Sequence, residues 1–249
     1  MKSAGVCAVL LGVLWAQAAD MTPDSIRAQV EREAARIQDY TVTLTVTVHM
    51  PKFRMPRKKI TVYFKAGDPY RLKLKTRGFA LLPKSGVAFR PQELFDNFSH
   101  FDRVTRQTTA DGWAYVLEGT LIADSLHFKL PESEQERPVL HQQLWVDPDH
   151  WVITRSTVWV DTSRVLTMTT AYDEVSGGWT MPVRTEVRFQ VGTDLIRRFN
   201  RTQTGPAPIL SEDGAEIPEE GLWGEVLIEY SRYRINQGLR DEIFEEESP

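Results

Sequence analysis

The sequence predicts a mainly β fold, in which about ten antiparallel strands follow one another with almost no helix between them. Two observations support this prediction. Apolar and polar residues alternate with period two in successive runs from Tyr40 onward, and turn residues fill several of the links between these runs. Parallel strands would need a longer crossover, usually a helix, between them. A meander of this length curls into a barrel or half-barrel.

One helix is predicted before the first strand. Thr22 suits the N-cap, and Pro23 suits the first helical position. The apolar stripe that follows at three- and four-residue spacing consists of Ile26, Val30, Ala34 and Ile37. The pattern therefore predicts an amphipathic helix over residues 22–39, which needs an apolar surface to lie on.

The first strand is predicted over residues 41–48, and residues 59–65 and 71–75 form a hairpin around the turn Gly67-Asp68-Pro69. Further strands are predicted over residues 112–120, 139–146, 151–160, 165–172, 181–191, 195–204 and 226–235. Residues 78–89 and 205–220 are predicted to be loops, and residues 91–100 a short second helix that contains Phe95.

The N-terminus is predicted to be a secretory signal peptide, residues 1–18. Lys2 supplies a cationic start, an apolar run follows, and the triplet Ala16-Gln17-Ala18 suits cleavage after Ala18. A retained anchor would need roughly 20 apolar residues, and Cys7 lies inside the run rather than after it, which argues against lipidation. We expect residues 19–249 to form one cysteine-free domain that is exported to a bacterial periplasm.

Neither catalysis nor nucleic-acid binding is indicated. The net charge is −4, the five histidines occur singly, and no nucleophile elbow, phosphate loop or dinucleotide motif is present. Ser99, His100 and Asp102 are neighbours in sequence, but a catalytic triad depends on geometry. Residues 147–150 suggest a cation site, for which a β-turn between two strands is the simpler explanation. We therefore predict no enzyme activity, no metal and no cofactor.

The feature of the sequence that indicates a function is its large number of apolar residues in the predicted strands and helices. A curled sheet with two apolar-faced helices can hold a cavity for an elongated apolar ligand. The predicted lining residues are Val42, Leu44, Val46, Leu72, Leu74, Phe95, Trp113, Tyr115, Leu117, Trp145, Trp159, Met168, Phe189 and Phe199. Leu81, Leu82 and Phe89 are predicted to dip into a bilayer or to close over a ligand. Ordinary core packing explains any single one of these residues more simply, and only the whole set favours ligand binding.

The charges are unevenly distributed along the chain. Residues 52–77 are strongly basic, whereas residues 241–247 are acidic. The basic residues either form a solvated sheet face or contact anionic lipid head groups or an acidic partner. The residues predicted for such a contact are Lys58, Lys59, Arg71, Lys73 and Lys75.

The order of elements resembles that of the LolA-like periplasmic lipoprotein carriers, within the broader group of outer-membrane lipoprotein-sorting proteins. The segments that carry the resemblance are Ile37-Gln-Asp-Tyr40, Pro69-Tyr-Arg-Leu72, Leu144-Trp-Val-Asp147, Pro182-Val-Arg184 and Tyr233-Arg-Ile-Asn236-Gln-Gly-Leu239, followed by Phe244. The resemblance implies an unclosed, strongly curved antiparallel half-barrel, with helices as a lid over a hydrophobic cavity that takes acyl chains. It gives no individual residue a role, and the extra length at residues 79–100 and 205–220 leaves the cargo open.

The expected partners follow from the same resemblance. They are the acyl chains of a lipoprotein or lipid, an inner-membrane donor and an outer-membrane acceptor, with the chain itself a monomer. Two other functions stay open: an envelope sensor that binds a partner protein through its charged surfaces, and an enzyme that acts on envelope lipids or glycans.

Overall fold

The computed structural model describes residues 21–51, 53–54, 56–76, 90–110, 112–122, 138–175, 177–192 and 221–245. Within them the helices are α1 (Pro23–Ala35), α2 (Pro91–Asp96) and α3 (Glu242–Glu245). The strands are β1 (Asp39–Met50), β2 (Phe53–Arg54), β3 (Lys58–Lys65), β4 (Arg71–Thr76), β5 (Phe98–Thr109), β6 (Gly112–Leu121), β7 (Leu140–Asp147), β8 (Val152–Val160), β9 (Ser163–Val175), β10 (Trp179–Val191) and β11 (Leu222–Ile235). The predicted signal peptide, the predicted loops and the predicted strand at 195–204 lie outside the described residues.

The strands form one sheet in the order β4-β3-β1-β11-β10-β9-β8-β7-β6-β5, with β2 paired beside β1. All of these pairings are antiparallel. Strands β5 to β11 form an up-and-down meander, and β11 then pairs with β1, the first strand of the sheet. Within the described part of the chain, β4 and β5 are the two edges and do not pair. The predicted unclosed antiparallel half-barrel is confirmed.

Helix α1 begins as predicted and ends early. Oγ1 of Thr22 accepts the backbone N–H of Ser25 at 3.2 Å, which caps the first turn. The helix stops at Ala35 rather than near residue 39. The cause is a tertiary hydrogen bond: the N–H of Gln38 donates to Oδ1 of Asn236 at 2.7 Å instead of to a carbonyl one turn earlier.

Strand β5 replaces the end of the predicted second helix. The prediction of helix over residues 91–100 is wrong beyond Asp96. Phe98, Phe101 and Val104 recur every three residues, which imitates a helical stripe. Two register shifts against β6 fall between these residues, and each extra residue turns the next apolar side chain back toward the same face. The three side chains therefore pack together on a strand.

Two apolar clusters hold the fold together. The first, the β6–β8 cluster, contains Ile26, Val30, Phe95, Phe98, Tyr115, Leu117, Leu121, Leu140, Leu144, Val146, Ile153, Val158 and Val160. The second, the β1–β3 cluster, contains Ile37, Tyr40, Val42, Leu44, Val46, Ile60, Val62, Phe64, Met181, Ile228 and Ile235. Helices α1 and α2 contribute to the first cluster, whereas the second is built from strands and Ile37, which follows α1.

Candidate functional site

Both clusters lie on one face of the sheet. Directly paired residues point to the same side, and one row of such pairs crosses seven strands from β6 to β1. The row consists of Leu117, Leu144, Ser156, Met168, Val187, Val226 and Val48. It begins in the β6–β8 cluster and ends beside the β1–β3 cluster. We call this side the inner face, and helices α1 and α2 pack on it.

Most of the predicted lining residues that are described lie on the inner face. Val42, Leu44 and Val46 are buried in the β1–β3 cluster, and Leu72 and Leu74 are half-buried at its side. Phe95, Tyr115 and Leu117 are buried in the β6–β8 cluster, and Met168 and Phe189 are half-buried in the strands between the clusters. Trp113 is 40% exposed beside Tyr115, with ring centroids 4.9 Å apart. Leu81, Leu82, Phe89 and Phe199 lie outside the described residues.

Trp145 and Trp159 face the other way. Leu144 and Val146 flank Trp145 and belong to the inner-face cluster, so alternation along β7 turns the indole outward. There the guanidinium of Arg155 lies 5.4 Å from its ring. The same alternation along β8 turns Trp159 outward, opposite the exposed His141.

The basic residues divide between the two faces. Lys59, Arg71, Lys73 and Lys75 alternate with inner-face residues and so lie on the outer face of β3 and β4. Lys58, which pairs with Val46, is on the inner side at the beginning of β3.

The acidic tail contacts these basic strands within the same molecule. Oδ1 of Asp241 lies 2.5 Å from Nζ of Lys65 and 3.1 Å from Nη1 of Arg71. The hydrogen bond from Lys65, aided by Arg71, lowers the pKa of the Asp241 carboxyl. Part of the uneven charge distribution is therefore neutralised internally.

A polar seam crosses the inner face between the clusters. It takes one residue from each of five successive strands, namely Gln142, Ser156, Thr170, Thr185 and Tyr230. Nε2 of Gln142 donates to Oγ of Ser156 at 2.7 Å, and the Thr185 hydroxyl lies 3.1 Å from those of Thr170 and Tyr230. Oε1 of Gln142 has no hydrogen-bond partner among the described residues. The sequence does not reveal the seam, because threonines and glutamines occupy both faces of β7 and β9.

Three half-buried tyrosines lie in or beside the seam: Tyr230 belongs to it, and Tyr172 and Tyr233 lie next to it. The hydroxyl of Tyr172 donates to the carbonyl of Ile153 at 3.1 Å, and that of Tyr233 donates to the carbonyl of Pro182 at 2.7 Å. Burial raises the pKa of Tyr172, Tyr230 and Tyr233 above the usual value of a phenol. The hydroxyls of Tyr172 and Tyr233 therefore act as neutral donors at physiological pH.

A cavity of about 350 Å³ opens where the two clusters meet at one end of the sheet. It lies between the last turns of α1, the β7–β8 turn and the first residues of β10. Val30 in its wall belongs to the β6–β8 cluster and Trp151 packs on that cluster, whereas Ile37 and Trp179 belong to or pack on the β1–β3 cluster. The volume is within the range of small-molecule sites. Both clusters therefore contribute residues to the wall of the cavity.

Helix α2 lies across the inner face as part of the link between the two sheet edges. At its beginning, the guanidinium of Arg90 stacks over the ring of Tyr70 at 3.8 Å. At its end, Oδ1 of Asp96 accepts a hydrogen bond from Nη2 of Arg27 on α1 at 2.7 Å. The second contact joins the two helices into one cover over the β6–β8 cluster, and the first ties the beginning of α2 to the residue before β4.

The neighbouring polar residues Ser99, His100 and Asp102 lie close together but are not arranged as a catalytic triad. His100 lies 3.0 Å from Asp102 and 3.2 Å from Ser99, but the Ser99 hydroxyl donates to the Thr120 carbonyl, and all three side chains are exposed. The serine proton therefore points away from the imidazole that would have to accept it.

Residues 147–150 form the turn that the simpler explanation predicts, in which Oδ1 of Asp147 accepts the Asp149 N–H at 2.8 Å. No group of three metal-ligating residues occurs in the part of the chain that the structure describes. In the same residues, no helix has the length and apolar character to cross a membrane.

Several solved structures resemble the chain. A DUF1329 family protein from Desulfovibrio piger superposes with a TM-score of 0.50 at 14% identity, over 88% of this chain and 94% of its own. A domain described as an outer membrane lipoprotein-sorting protein, from Vibrio parahaemolyticus, gives 0.48 at 11% identity, over 87% and 94%. A LolA superfamily protein from Nitrosomonas europaea gives 0.45 at 12% identity, over 87% and 96%.

No protein-family model and no curated protein matches the chain. At 14% identity, the likeness to the first of these structures is one of fold alone. The sheet itself has the features that the sequence resemblance implies: it is antiparallel, it is open between β4 and β5, and it carries helices on its inner face. The chain therefore has a LolA-like fold.

Proposed function

We propose that the chain is a carrier that binds the acyl chains of a lipoprotein or lipid on the inner face of its sheet and moves them toward the outer membrane without catalysis. We also propose that residues 1–18 are removed as a signal peptide and that residues 19–249 work as one domain in the periplasm. An inner-membrane donor and an outer-membrane acceptor complete the proposed route.

One observation carries the proposal: two apolar clusters share one face of an open sheet, and a cavity opens at their junction. Half-buried apolar residues border the β1–β3 cluster, among them Val48, Leu72, Leu74 and Val226. Each methylene moved from water to such a surface is worth about 0.8 kcal/mol. A long acyl chain can therefore leave a membrane only if an apolar surface shields it from water along its length. An elongated apolar face supplies that shielding.

The sensor function has less support. The charge asymmetry that suggests it is partly neutralised where Asp241 contacts Lys65 and Arg71. A pull-down that recovers a signalling protein, with no lipid bound to the purified chain, would favour the sensor over the carrier.

The test uses two neighbouring residues of β11 that face opposite sides. Val226 lies in the inner-face row, and Leu227 points to the outer face opposite Thr47. Protein purified from the periplasm is examined by native mass spectrometry and lipid extraction, and a fluorescent acyl probe is then titrated. We expect bound lipid and probe binding in the wild type and in Leu227→Asp, and a loss of both in Val226→Asp.

Circular dichroism establishes that both variants are folded, and Val226→Phe, which fills space without adding charge, provides a second inner-face variant. Wild-type protein that carries no lipid and does not bind the probe would overturn the proposal.

A further inference from the structure

The cavity at the cluster junction has a polar rim as well as an apolar wall. Besides its apolar residues, it is lined by Glu33 of α1, by Arg36 directly after α1, and by Asp149 and His150 of the β7–β8 turn. The rim therefore carries both signs of charge, and apolar side chains such as that of Ile37 lie in the wall beside it. That arrangement suits an amphiphile, whose chain packs on the apolar side chains and whose head group needs the rim.

The charged residues of the rim differ in whether they form ion pairs within the described part of the chain. Nη1 of Arg36 donates to Oε2 of Glu33 at 2.6 Å, and Nδ1 of His150 lies 3.1 Å from Oδ2 of Asp147. Among the described residues, no cation forms an ion pair with the Asp149 carboxylate, which is exposed. The rim is thus left with a carboxylate that can take a cationic group, while Arg36 keeps further N–H donors for an anion.

Two indoles flank these charges. The ring of Trp179 has the Arg36 guanidinium 5.4 Å from its centroid. Trp151 packs against Tyr115, with rings 6.1 Å apart and 15° from parallel. Its backbone has a φ of +53°, a left-handed conformation that glycine or asparagine adopts at less cost. Tryptophan faces are the best aromatic partners for ammonium groups.

We propose that this rim is a head-group site for a zwitterionic phosphate–ammonium amphiphile, with the ammonium at Asp149 and the phosphate at Arg36. The proposal rests on the proposed carrier function and adds the class of head group that the carrier takes. The acyl chain then enters past Val30 and Ile37 to reach the clusters. A pure anion or a pure cation satisfies only one end of the site.

The test compares three single-chain probes with the same decyl chain: decylphosphocholine, decyl phosphate and decyltrimethylammonium. Each displaces the fluorescent acyl probe from the full-length mature protein below its micelle concentration. We expect the zwitterion to bind at least about threefold more tightly than either singly charged probe, a gain typical of exposed ion pairs.

Two variants separate the ends of the site, each with a matched control. Asp149→Asn weakens the zwitterion and the ammonium probe about threefold and leaves decyl phosphate unchanged. Arg36→Gln weakens the zwitterion and decyl phosphate and leaves the ammonium probe unchanged. The controls remove equal charges elsewhere: Asp68→Asn in the β3–β4 turn, and Arg32→Gln on α1, neither of which lines the cavity.

The outcomes distinguish the two proposals. If all three probes bind equally and the Asp149 and Arg36 variants behave like their controls, the head-group site is wrong and the carrier function stands. If none of the probes displaces the acyl probe because the acyl probe itself does not bind, both proposals fail.

Discussion

The carboxylate of Asp39 accepts a hydrogen bond from the backbone N–H of Gly238 at 2.9 Å, which ties the beginning of β1 to the chain that follows β11. The same carboxylate accepts the N–H of Gln237 at 3.0 Å, and the N–H of Asn236 donates to the carbonyl of Asp39 at 2.8 Å. Asn236 and Gly238 have positive φ angles of 52° and 71°, which turn the backbone toward the carboxylate. Two of the segments that carry the sequence resemblance therefore meet here.

Removing the Asp39 carboxylate should destabilise this junction strongly. Asp39 is only 5% exposed, so Asp39→Ala leaves two backbone N–H groups without their acceptor in a place that water barely reaches. We expect a loss of about 3 kcal/mol in the free energy of unfolding, measured by urea denaturation. Asp39→Asn keeps one carbonyl oxygen and should lose less. An Asp39→Ala variant as stable as the wild type would show that the contact does not stabilise the fold.

Gly119 allows β5 to pack closely on β6. A Cβ atom there would lie 2.3 Å from the carbonyl oxygen of His100 and 2.7 Å from the ring of Phe98. Because the closer neighbour is backbone, Gly119→Ala should destabilise the protein by about 2 kcal/mol through overpacking. Gly192→Ala, where no atom of the described residues lies within 4 Å of the added Cβ, is the matched control and should be close to neutral when both variants are measured by thermal unfolding.

Gln142 and Ser156, the buried hydrogen-bonded pair of the polar seam, should show strong energetic coupling. Ser156→Ala leaves the amide of Gln142, which is 3% exposed, without its partner, and should lose about 1 to 3 kcal/mol. The double variant Gln142→Leu with Ser156→Ala removes both polar groups and should regain most of this loss. A double-mutant cycle measures the coupling, and strictly additive losses would refute it.

Alkaline pH should destabilise the fold through the buried tyrosines. Their pKa values are raised in the folded state, so above about pH 10 the unfolded chain loses phenolic protons first and is favoured. The free energy of unfolding should keep its full value below that pH. Above it, the free energy of unfolding should fall by up to about 1.4 kcal/mol per pH unit for each such group. Denaturation between pH 9 and 12 should give a shallower fall in Tyr172→Phe than in the control Tyr63→Phe, and equal slopes would contradict this assignment.

The sequence predicts the parts of the fold that follow one local rule. Strands with clean alternation, such as β1 and β3, are correct to within two residues at each end. Strand β5 escapes prediction because its bulges replace period two with period three. The end of α1 escapes because Asn236, almost two hundred positions away along the chain, takes the N–H of Gln38.

The same limits apply to the candidate site. Val42, Leu44 and Val46 follow from alternation, whereas the outward orientation of Trp145 and Trp159 depends on which side of β7 and β8 is buried. Which side of β7 and β8 is buried is known only once the strands are assembled into the sheet. The polar seam and the cavity rim bring together residues from separate strands and a helix, so no local pattern announces them.

The proposed binding of acyl chains on the inner face is tested most directly by locating the residues that contact a bound chain. Deuterated protein with protonated methyl groups at isoleucine, leucine and valine is mixed with protonated dodecanoate, and intermolecular nuclear Overhauser effects are measured. We expect contacts from the acyl chain to inner-face methyls such as those of Val30, Leu74 and Val226, and none to Leu227. Contacts confined to Leu227 and its outer-face neighbours, or no contacts with a bound chain at the inner face, would contradict it.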